Sequence, residues 1–335
     1  MKRVTKQCLE VLRRPRVLKF LLTFALLAAL GNMVDWRRVA ATGLQARPEW
    51  LLAAAGCLLL AYMVIAWRWL LIMRVSANAP DQARRYGPVF VMVAAGMGFG
   101  AILPTAVGAD VARGVLLHTR SGSGGRAGAE FIVSSLLLDR YTSVLGTVLV
   151  GIAGSAVVGQ WAVAVGLCLV LIAAAALTVA LVMQLDRLLG LLMHGPFRRF
   201  RPKLDALAAE LRAPGMLRRG LSPAILISVL LAIVRTAVFV CMYRGFDAPV
   251  PLGLALFAIP VLLIALMAPV TIGGFGLREW LLVVSFAEAG VPAAVSVSVG
   301  LVFFGLQIAV SLPAMFIAVL ARPRAASATV KEDIR

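Results

Sequence analysis

The chain has 335 residues, of which 61% are hydrophobic and 14% are charged, and its mean hydropathy is +0.96. A soluble domain carries about 25% charged residues, so this composition excludes an ordinary soluble protein. The formal net charge is +18, which in a soluble protein would suggest a nucleic-acid partner. In a membrane protein Lys and Arg crowd the cytoplasmic side, so we expect a membrane protein with no nucleic-acid partner.

Long uncharged runs determine the fold class. Residues 141–185, 248–277 and 289–321 contain no Asp, Glu, Lys or Arg. About 20 helical residues cross the hydrocarbon core, and in lipid every backbone polar group must be bonded internally. The sequence therefore predicts an all-α polytopic membrane protein.

The predicted elements, in chain order, are six full spans and two interrupted stretches. The spans are expected at 17–34, 50–73, 129–152, 161–185, 221–243 and 295–321. The interrupted stretches, 86–118 and 251–289, are rich in Gly and Pro. Breaks of this kind persist at membrane depth only where protein or a water-filled cavity surrounds them. Both stretches are therefore predicted to form re-entrant hairpins.

The basic residues predict the orientation of the chain. They are dense before the first span and in the 186–220 loop, which places both segments in the cytoplasm. If 86–118 enters and leaves on one side, Arg113, Arg120 and Arg126 also become cytoplasmic, and both termini lie inside. The 186–220 loop is either an amphipathic helix on the membrane surface or a solvated connector. The 322–335 tail is predicted to be disordered.

An internal repeat emerges from the two hairpins. Pro104, Gly108 and Arg113 have the same spacing as Pro269, Gly273 and Arg278. Each half consists of two spans, a hairpin and a third span, so the second half is inverted relative to the first. The repeats are expected at 1–160 and 161–321. Inverted repeats with broken helices are a transporter architecture, with the substrate site at the repeat interface.

Ionisable residues at membrane depth are candidate functional residues because their burial in lipid is costly. Arginine binds phosphate oxygens through a planar fork, and a helix that begins at a glycine-rich break favours an anion. The expected ligand is the head group of a phospholipid or polyprenyl phosphate. Alternatively, neighbouring charges form structural ion pairs that lock the broken helices. The candidates are Asp110, Arg113, Asp139, Arg140, Arg235, Arg278 and Glu279, with Gly273, Gly274 and Gly276 at the second break.

Signals for an enzyme are poor. The chain has two histidines and four cysteines, and it contains no HExxH, CxxC, GxSxG or P-loop motif. The cysteines have no metal-ligand spacing and are interpreted as small hydrophobic residues. We expect no catalytic residue, metal or cofactor. The glycines of 96–100 follow no strand, so helix packing explains them better than a dinucleotide site.

Three runs, 102–113, 138–140 and 268–279, carry a resemblance to a known family. They resemble the flippase-like transmembrane region of bacterial lysylphosphatidylglycerol synthetase, the multiple peptide resistance factor. The resemblance implies movement of an aminoacylated phospholipid between leaflets, or export of a glycolipid or polyprenyl lipid by stand-alone relatives. It also implies these motif positions: Pro104, Gly108, Asp110, Arg113, Asp139, Arg140, Pro269, Gly273, Gly274, Gly276, Arg278 and Glu279.

One departure from the family limits what the resemblance implies. The synthetase carries a soluble aminoacyl-transferase domain after its membrane region, whereas only residues 322–335 follow the last span predicted here. We therefore expect a stand-alone lipid translocase of the bacterial inner membrane. The alternatives are an intramembrane transferase, a membrane subunit of a soluble glycosyl- or aminoacyl-transferase, and an ion- or proton-coupled solute carrier. The expected partners are the membrane and an anionic lipid or lipid-linked substrate, with a second copy or a lipid-modifying enzyme as further partners.

Overall fold

The computed structural model describes residues 36–76, 79–103, 108–120, 128–192, 216–267, 271 and 274–320. These residues form ten α-helices and no strand. The helices are α1 (Trp36–Leu44), α2 (Pro48–Val75), α3 (Tyr86–Ile102), α4 (Gly108–Arg120), α5 (Ala129–Val157), α6 (Trp161–Leu192), α7 (Ser222–Gly245), α8 (Leu252–Met267), α9 (Leu277–Ala287) and α10 (Ala293–Leu320). The predicted all-α class is confirmed for these residues.

Four described helices are long and apolar enough to cross a membrane: Pro48–Val75, Ala129–Val157, Arg218–Gly245 and Ala293–Leu320. They coincide with the spans predicted at 50–73, 129–152, 221–243 and 295–321. Helix α6 begins at Trp161, as predicted, but it continues to Leu192, so the expected loop from 186 begins at least seven residues later.

Contacts between the start of α2 and the end of α7 show that these two helices are antiparallel. Pro48 occupies the first turn of α2, where its missing N–H costs nothing, and Glu49 complements the helix dipole there. The Arg47 N–H donates a 2.8 Å hydrogen bond to the Gly245 carbonyl at the end of α7. The Arg47 guanidinium also lies 2.7 Å from Asp247 Oδ1. The start of α2 and the end of α7 therefore lie at the same end of the bundle.

The helices pack in a crossed arrangement. Helices α2 and α7 form the most extensive pair, and α5 packs against α7. Helix α3 packs on α10, and α8 packs on α5. The hairpin that contains α3 therefore contacts the last described helix, and the hairpin that contains α8 contacts α5. The hydrophobic core runs through these contacts and includes Tyr62, Trp69, Met92, Tyr243 and Phe286.

Helices α3 and α4 form a hairpin with close backbone contact. A Cβ at Gly96 would lie 2.5 Å from Arg113 Cγ, and one at Gly100 would lie 2.5 Å from the Ala109 nitrogen. From Gly96 to Gly100 of α3, the contacting residue of α4 changes from Arg113 back to Ala109. The two helices are therefore antiparallel. A Cβ at Gly98 would lie 2.6 Å from Ser311 Cβ of α10. The prediction that these glycines serve helix packing is confirmed.

The second hairpin consists of α8 and α9. Of the intervening residues, the structure describes 271 and 274–276. Gly274 and Gly276 have φ angles of +78° and +79°, a left-handed conformation that residues with a side chain rarely adopt. The glycines of this break are therefore needed to turn the chain from α8 into α9.

Several predictions fall on residues outside the described ranges. They are the first span at 17–34, the amphipathic helix within 186–220, the tail 322–335 and the positions Pro104, Pro269 and Gly273.

Candidate functional site

A cavity of about 290 Å³ lies among the helices at the two hairpins. Helices α2, α3, α4, α5, α7, α8, α9 and α10 all contribute to its wall. The charged side chains that line it are Arg68, Asp110, Arg113, Asp139, Arg140, Arg235 and Arg278. Its apolar wall includes Leu58, Ile65, Phe239, Leu263 and Phe303. Six of the predicted ionisable site residues therefore line one space, although they are distributed over both halves of the chain.

Asp139 is the centre of the ion-pair network in this cavity. Its Oδ1 accepts a 2.8 Å hydrogen bond from Arg68 Nε and lies 2.8 Å from Arg68 Nη2. Its Oδ2 accepts a 3.1 Å bond from Arg113 Nη1. Arg68 Nη1 donates to Ser228 Oγ of α7 at 2.9 Å. Arg68 is thus fully engaged, with its side chain 2% exposed, and it links three helices.

Asp110 extends the network to Arg140, a half-buried arginine of α5. Its two carboxylate oxygens pair with Arg113 and Arg140. The Arg140 side chain is 31% exposed, far more than those of Arg113 and Asp139. Of the neighbouring charges that the ion-pair alternative would join, Asp139 and Arg140 do not pair, because the Asp139 carboxylate binds Arg68 and Arg113 instead. Consecutive residues within a helix point about 100° apart, which directs Arg140 away from Asp139. Asp110–Arg113 and Arg278–Glu279 do pair, as that alternative predicts.

Arg278 and Glu279 form a separate pair at the start of α9. Glu279 Oε1 accepts bonds from Arg278 Nε at 2.9 Å and Nη2 at 2.6 Å. Glu279 Oε2 accepts a 2.8 Å bond from the Gly276 N–H, so it caps the helix. The anion position predicted at the second break is therefore partly occupied by the protein's own carboxylate. Arg278 also lies over the rings of Phe275 and Phe303, at 5.7 and 5.6 Å.

Arg235 differs from the other cavity arginines. No described carboxylate lies within ion-pair distance of it, and no described group accepts a hydrogen bond from it. Its electrostatic neighbours are Arg68, Arg113, Asp139 and Tyr62. Arg235 is therefore a cation at membrane depth that faces the cavity beside two further cations.

Gly108, Gly274 and Gly276 are the described glycines of the predicted site. Gly108 is buried and begins α4, while Gly276 immediately precedes α9. Neither glycine lines the cavity, and each acts through the helix that follows it. Within the described part of the chain, no three His, Cys, Asp or Glu side chains are grouped to hold a metal ion.

Comparison with known proteins identifies the family. The family model described as "Lysylphosphatidylglycerol synthase TM region" matches residues 16–314, most of the chain. The chain belongs to this family. No curated protein and no solved structure shows significant similarity to it. Membership in the lysylphosphatidylglycerol synthase transmembrane family connects the chain with lipid modification or translocation at a membrane.

The charge balance of this family member's cavity is positive. Five arginines line it: Arg68, Arg113, Arg140, Arg235 and Arg278. They are opposed by three carboxylates, namely Asp110 and Asp139 in the wall and Glu279 beside Arg278. Among the described residues, five positive charges thus face three negative charges. A site of this kind attracts anions, and its apolar wall accommodates uncharged parts of the same ligand.

Sequence analysis missed residues that complete the site. Arg68 lies inside a predicted span and was not among the predicted site residues, although an arginine at membrane depth is itself a sufficient signal. Tyr62, Ser143 and Gln307 also line the cavity. Gln307 Nε2 donates to the Met97 carbonyl at 3.1 Å, which ties α10 to α3. These uncharged residues carried no sequence signal that separates them from ordinary span residues.

Proposed function

We propose that this protein is a lipid translocase that moves a phospholipid or polyprenyl-linked lipid between the leaflets of the bacterial inner membrane. One observation carries the proposal: among the described residues, five arginines line the cavity between the two hairpins, and no described carboxylate pairs with Arg235. Arginine binds phosphate oxygens bidentately and stays charged at all relevant pH values. Phosphate is the group that the head groups of both lipid classes share.

We further propose that the two halves, 1–160 and 161–321, are inverted repeats with re-entrant hairpins. Helix α2 corresponds to α7, α3 to α8, α4 to α9 and α5 to α10. Exchanging the halves converts the α3–α10 contact into the α8–α5 contact and leaves the α2–α7 contact in place. The two helices that follow the breaks have 13 and 11 residues. They measure about 20 and 16 Å at 1.5 Å per residue, too short for a hydrocarbon core of about 30 Å.

The arrangement suggests how a head group crosses. The bulk of the barrier to lipid movement is transfer of the charged head group through hydrocarbon, and a cationic cavity replaces the water that the phosphate loses. The half-buried Arg140 lines the cavity together with Arg235 and Arg278, so a head group inside it would meet three guanidinium groups. Apolar lining residues provide a surface for the glycerol or prenyl part. In this proposal both termini lie in the cytoplasm, as the basic segments predict.

The charge pairing argues against a proton-coupled solute carrier. Asp110, Asp139 and Glu279 each bind at least one arginine. Among the described residues, each carboxylate of the cavity is therefore already engaged by a guanidinium that holds it in the network.

Reconstitution tests the proposal directly. The purified protein is placed in vesicles with a fluorescent head-group or prenyl-labelled lipid, and the label left in the outer leaflet is quenched chemically over time. Translocation predicts that quenching reaches both leaflets faster than in vesicles without protein. Mass spectrometry of the same lipids detects modification. Chemically altered lipid without faster movement would favour a transferase and contradict translocation.

A further inference from the structure

We infer that the lipid phosphate binds in the second half of the chain, on Arg235 of α7, at the position where the first half carries its own carboxylate, Asp139. The inference rests on the proposed function and on the proposed inverted repeats, and it names the residue that holds the head group. The two halves differ at one charged position, and that difference assigns the site.

In the first half, Asp139 serves as counter-ion to two arginines. It accepts hydrogen bonds from Arg68 of α2 at 2.8 Å and from Arg113 of α4 at 3.1 Å. Arg113 holds a second carboxylate, Asp110, in the first turn of its own helix. Arg68 also donates to Ser228, so all three of its guanidinium nitrogens are engaged. The protein itself therefore fills the anion position beside Arg68.

The second half repeats the arginines of this arrangement. In the proposed repeat, Arg235 of α7 is the counterpart of Arg68 of α2. Arg278 of α9 is the counterpart of Arg113 of α4, because both follow their breaks at the same spacing. Arg278 likewise binds a carboxylate in the first turn of its own helix, Glu279. That pair is thus common to both halves, and it stays intact when the phosphate binds.

The counterpart of Asp139 is not a carboxylate. Asp139 and Phe303 lie equally far from the starts of α5 and α10. Arg278 lies over the Phe303 ring at 5.6 Å, just as Arg113 contacts Asp139 in the first half. Counting from Arg278 the 26 residues that separate Arg113 from Asp139 gives Phe304. Both alignments replace the carboxylate by a phenylalanine, and α10 carries no charged residue.

Arg235 therefore lacks the counter-ion that Arg68 has. No described carboxylate lies within ion-pair distance of it, and its half-buried side chain lines the cavity. One turn along α7, the rings of Phe239 and Phe303 stack with their centroids 5.0 Å apart. An unpaired buried cation is unfavourable, so a bound phosphate supplies what Asp139 supplies to Arg68. The neighbouring rings provide an apolar surface for the uncharged part of the same lipid.

Phe303→Asp tests the inference by giving the second half a carboxylate of its own. We expect it to lower phosphatidylglycerol transport in vesicles about tenfold, because the new carboxylate competes with the phosphate for the guanidinium. Phe303→Asn is the matched control, since it makes nearly the same change in shape without the charge, and it should transport clearly faster than Phe303→Asp. Equal transport by the two variants would overturn the inference.

Unfolding temperatures show whether the new carboxylate reaches Arg235. Phe303→Asp should be less destabilised relative to Phe303→Asn when Arg235 is present than in an Arg235→Gln background, because only the arginine neutralises the aspartate. The same difference in both backgrounds would contradict the placement of Arg235 beside residue 303.

Labelling of the unaltered protein in nanodiscs does not depend on the folding of any variant. The probe is phosphatidylglycerol with a photoreactive diazirine on its glycerol head group. Mass spectrometry should find adducts on α7 and α10 around Arg235 and Phe303. Adducts confined to α2 and α5 around Arg68 and Asp139 would overturn the inference. Loss of labelling with inorganic phosphate at the concentration of the lipid would show that the ligand is soluble phosphate, which rejects the lipid assignment.

These outcomes separate the inference from the proposed function. Lipid movement that Phe303→Asp leaves unchanged, with labelling away from α7 and α10, keeps translocation and rejects Arg235 as the phosphate ligand. Labelling around Arg235 without lipid movement in vesicles rejects translocation and keeps the binding site.

Discussion

Arg68 and Asp139 are joined across 71 residues of chain by two contacts of 2.8 Å, from Nε and Nη2 of the guanidinium to Oδ1 of the carboxylate. Both side chains are 2% exposed. The pair fixes α2 to α5 at the cavity wall, and Asp139 also holds Arg113 of α4. The Asp139 carboxylate thus ties both α2 and α4 to α5.

Removing this carboxylate should destabilise the protein strongly. Asp139→Ala leaves Arg68 without its counter-ion and leaves Arg113 with Asp110 alone, and loss of one member of a buried pair costs about 3–5 kcal/mol. Arg47→Ala is the control, because it breaks the exposed Arg47–Asp247 pair, which is worth about 0–1 kcal/mol. The unfolding temperatures of the two variants in nanodiscs measure both losses of stability. Similar unfolding temperatures for the two variants would show that the Asp139 network contributes little.

Arg278 should be required for transport rather than for folding. Arg278→Lys should slow lipid movement because an ammonium does not reproduce the guanidinium fork, and Arg278→Ala should abolish it. The double change Arg278→Ala/Glu279→Gln removes both charges and keeps an oxygen that can accept the Gly276 N–H. We expect this double variant to fold and to be inactive in lipid transport. Vesicle transport and unfolding temperature decide, and full activity in the stable double variant would end the assignment of Arg278 to the head group.

Close packing within the first hairpin should tolerate no side chain at Gly100. Gly100→Ala places a Cβ about 2.5 Å from the Ala109 nitrogen, so α3 and α4 must separate. We expect a loss of about 1–3 kcal/mol, the usual range for overpacking. Gly87→Ala is the control, because nothing lies within 4 Å of its added Cβ. The unfolding temperatures of the two variants should differ by several degrees, and equal values would contradict the hairpin contact.

The orientation of the hairpins can be tested by cysteine labelling. In a variant without the native cysteines, Thr119→Cys near Arg120 should react only from the cytoplasm. Glu49→Cys, close to Phe246 at the opposite end of the bundle, should react only from outside. Both positions are exposed. A membrane-impermeant maleimide added to right-side-out or inverted vesicles measures this. Outside labelling at residue 119 would contradict the inverted repeats.

The sequence predicted the helices of the fold because its signals are local. Uncharged runs locate the spans, and Pro and Gly locate the breaks in 86–118 and 251–289. Ion-pair partners were less predictable, because they depend on which helix faces which. Asp139 adjoins Arg140 in sequence, but it binds Arg68, which lies on another span. The depth of a charge can be estimated from its position in a span, whereas its partner depends on helix rotation and packing.

The glycine contacts of the hairpins also combine a local signal that the sequence reveals with partners that depend on the fold. Gly96, Gly98 and Gly100 were predicted to serve helix packing from their setting in an apolar stretch. Their partners, Arg113 and Ala109 in α4 and Ser311 in α10, follow from the fold alone. The sequence thus indicated close helix packing at these glycines, whereas the tertiary structure determined which residues pack against them.

The crossed packing of α3 on α10 and of α8 on α5 has a consequence for assembly. Part of α5 is covered by α8 and part of α10 by α3, so each half of the chain contributes to the buried surface of the other. A gene split between α5 and α6 should therefore yield two fragments that are degraded when produced separately and recovered together when co-expressed. On the proposed inverted repeat, a chain with a single repeat would bury the same surfaces only by pairing with a second copy of opposite orientation.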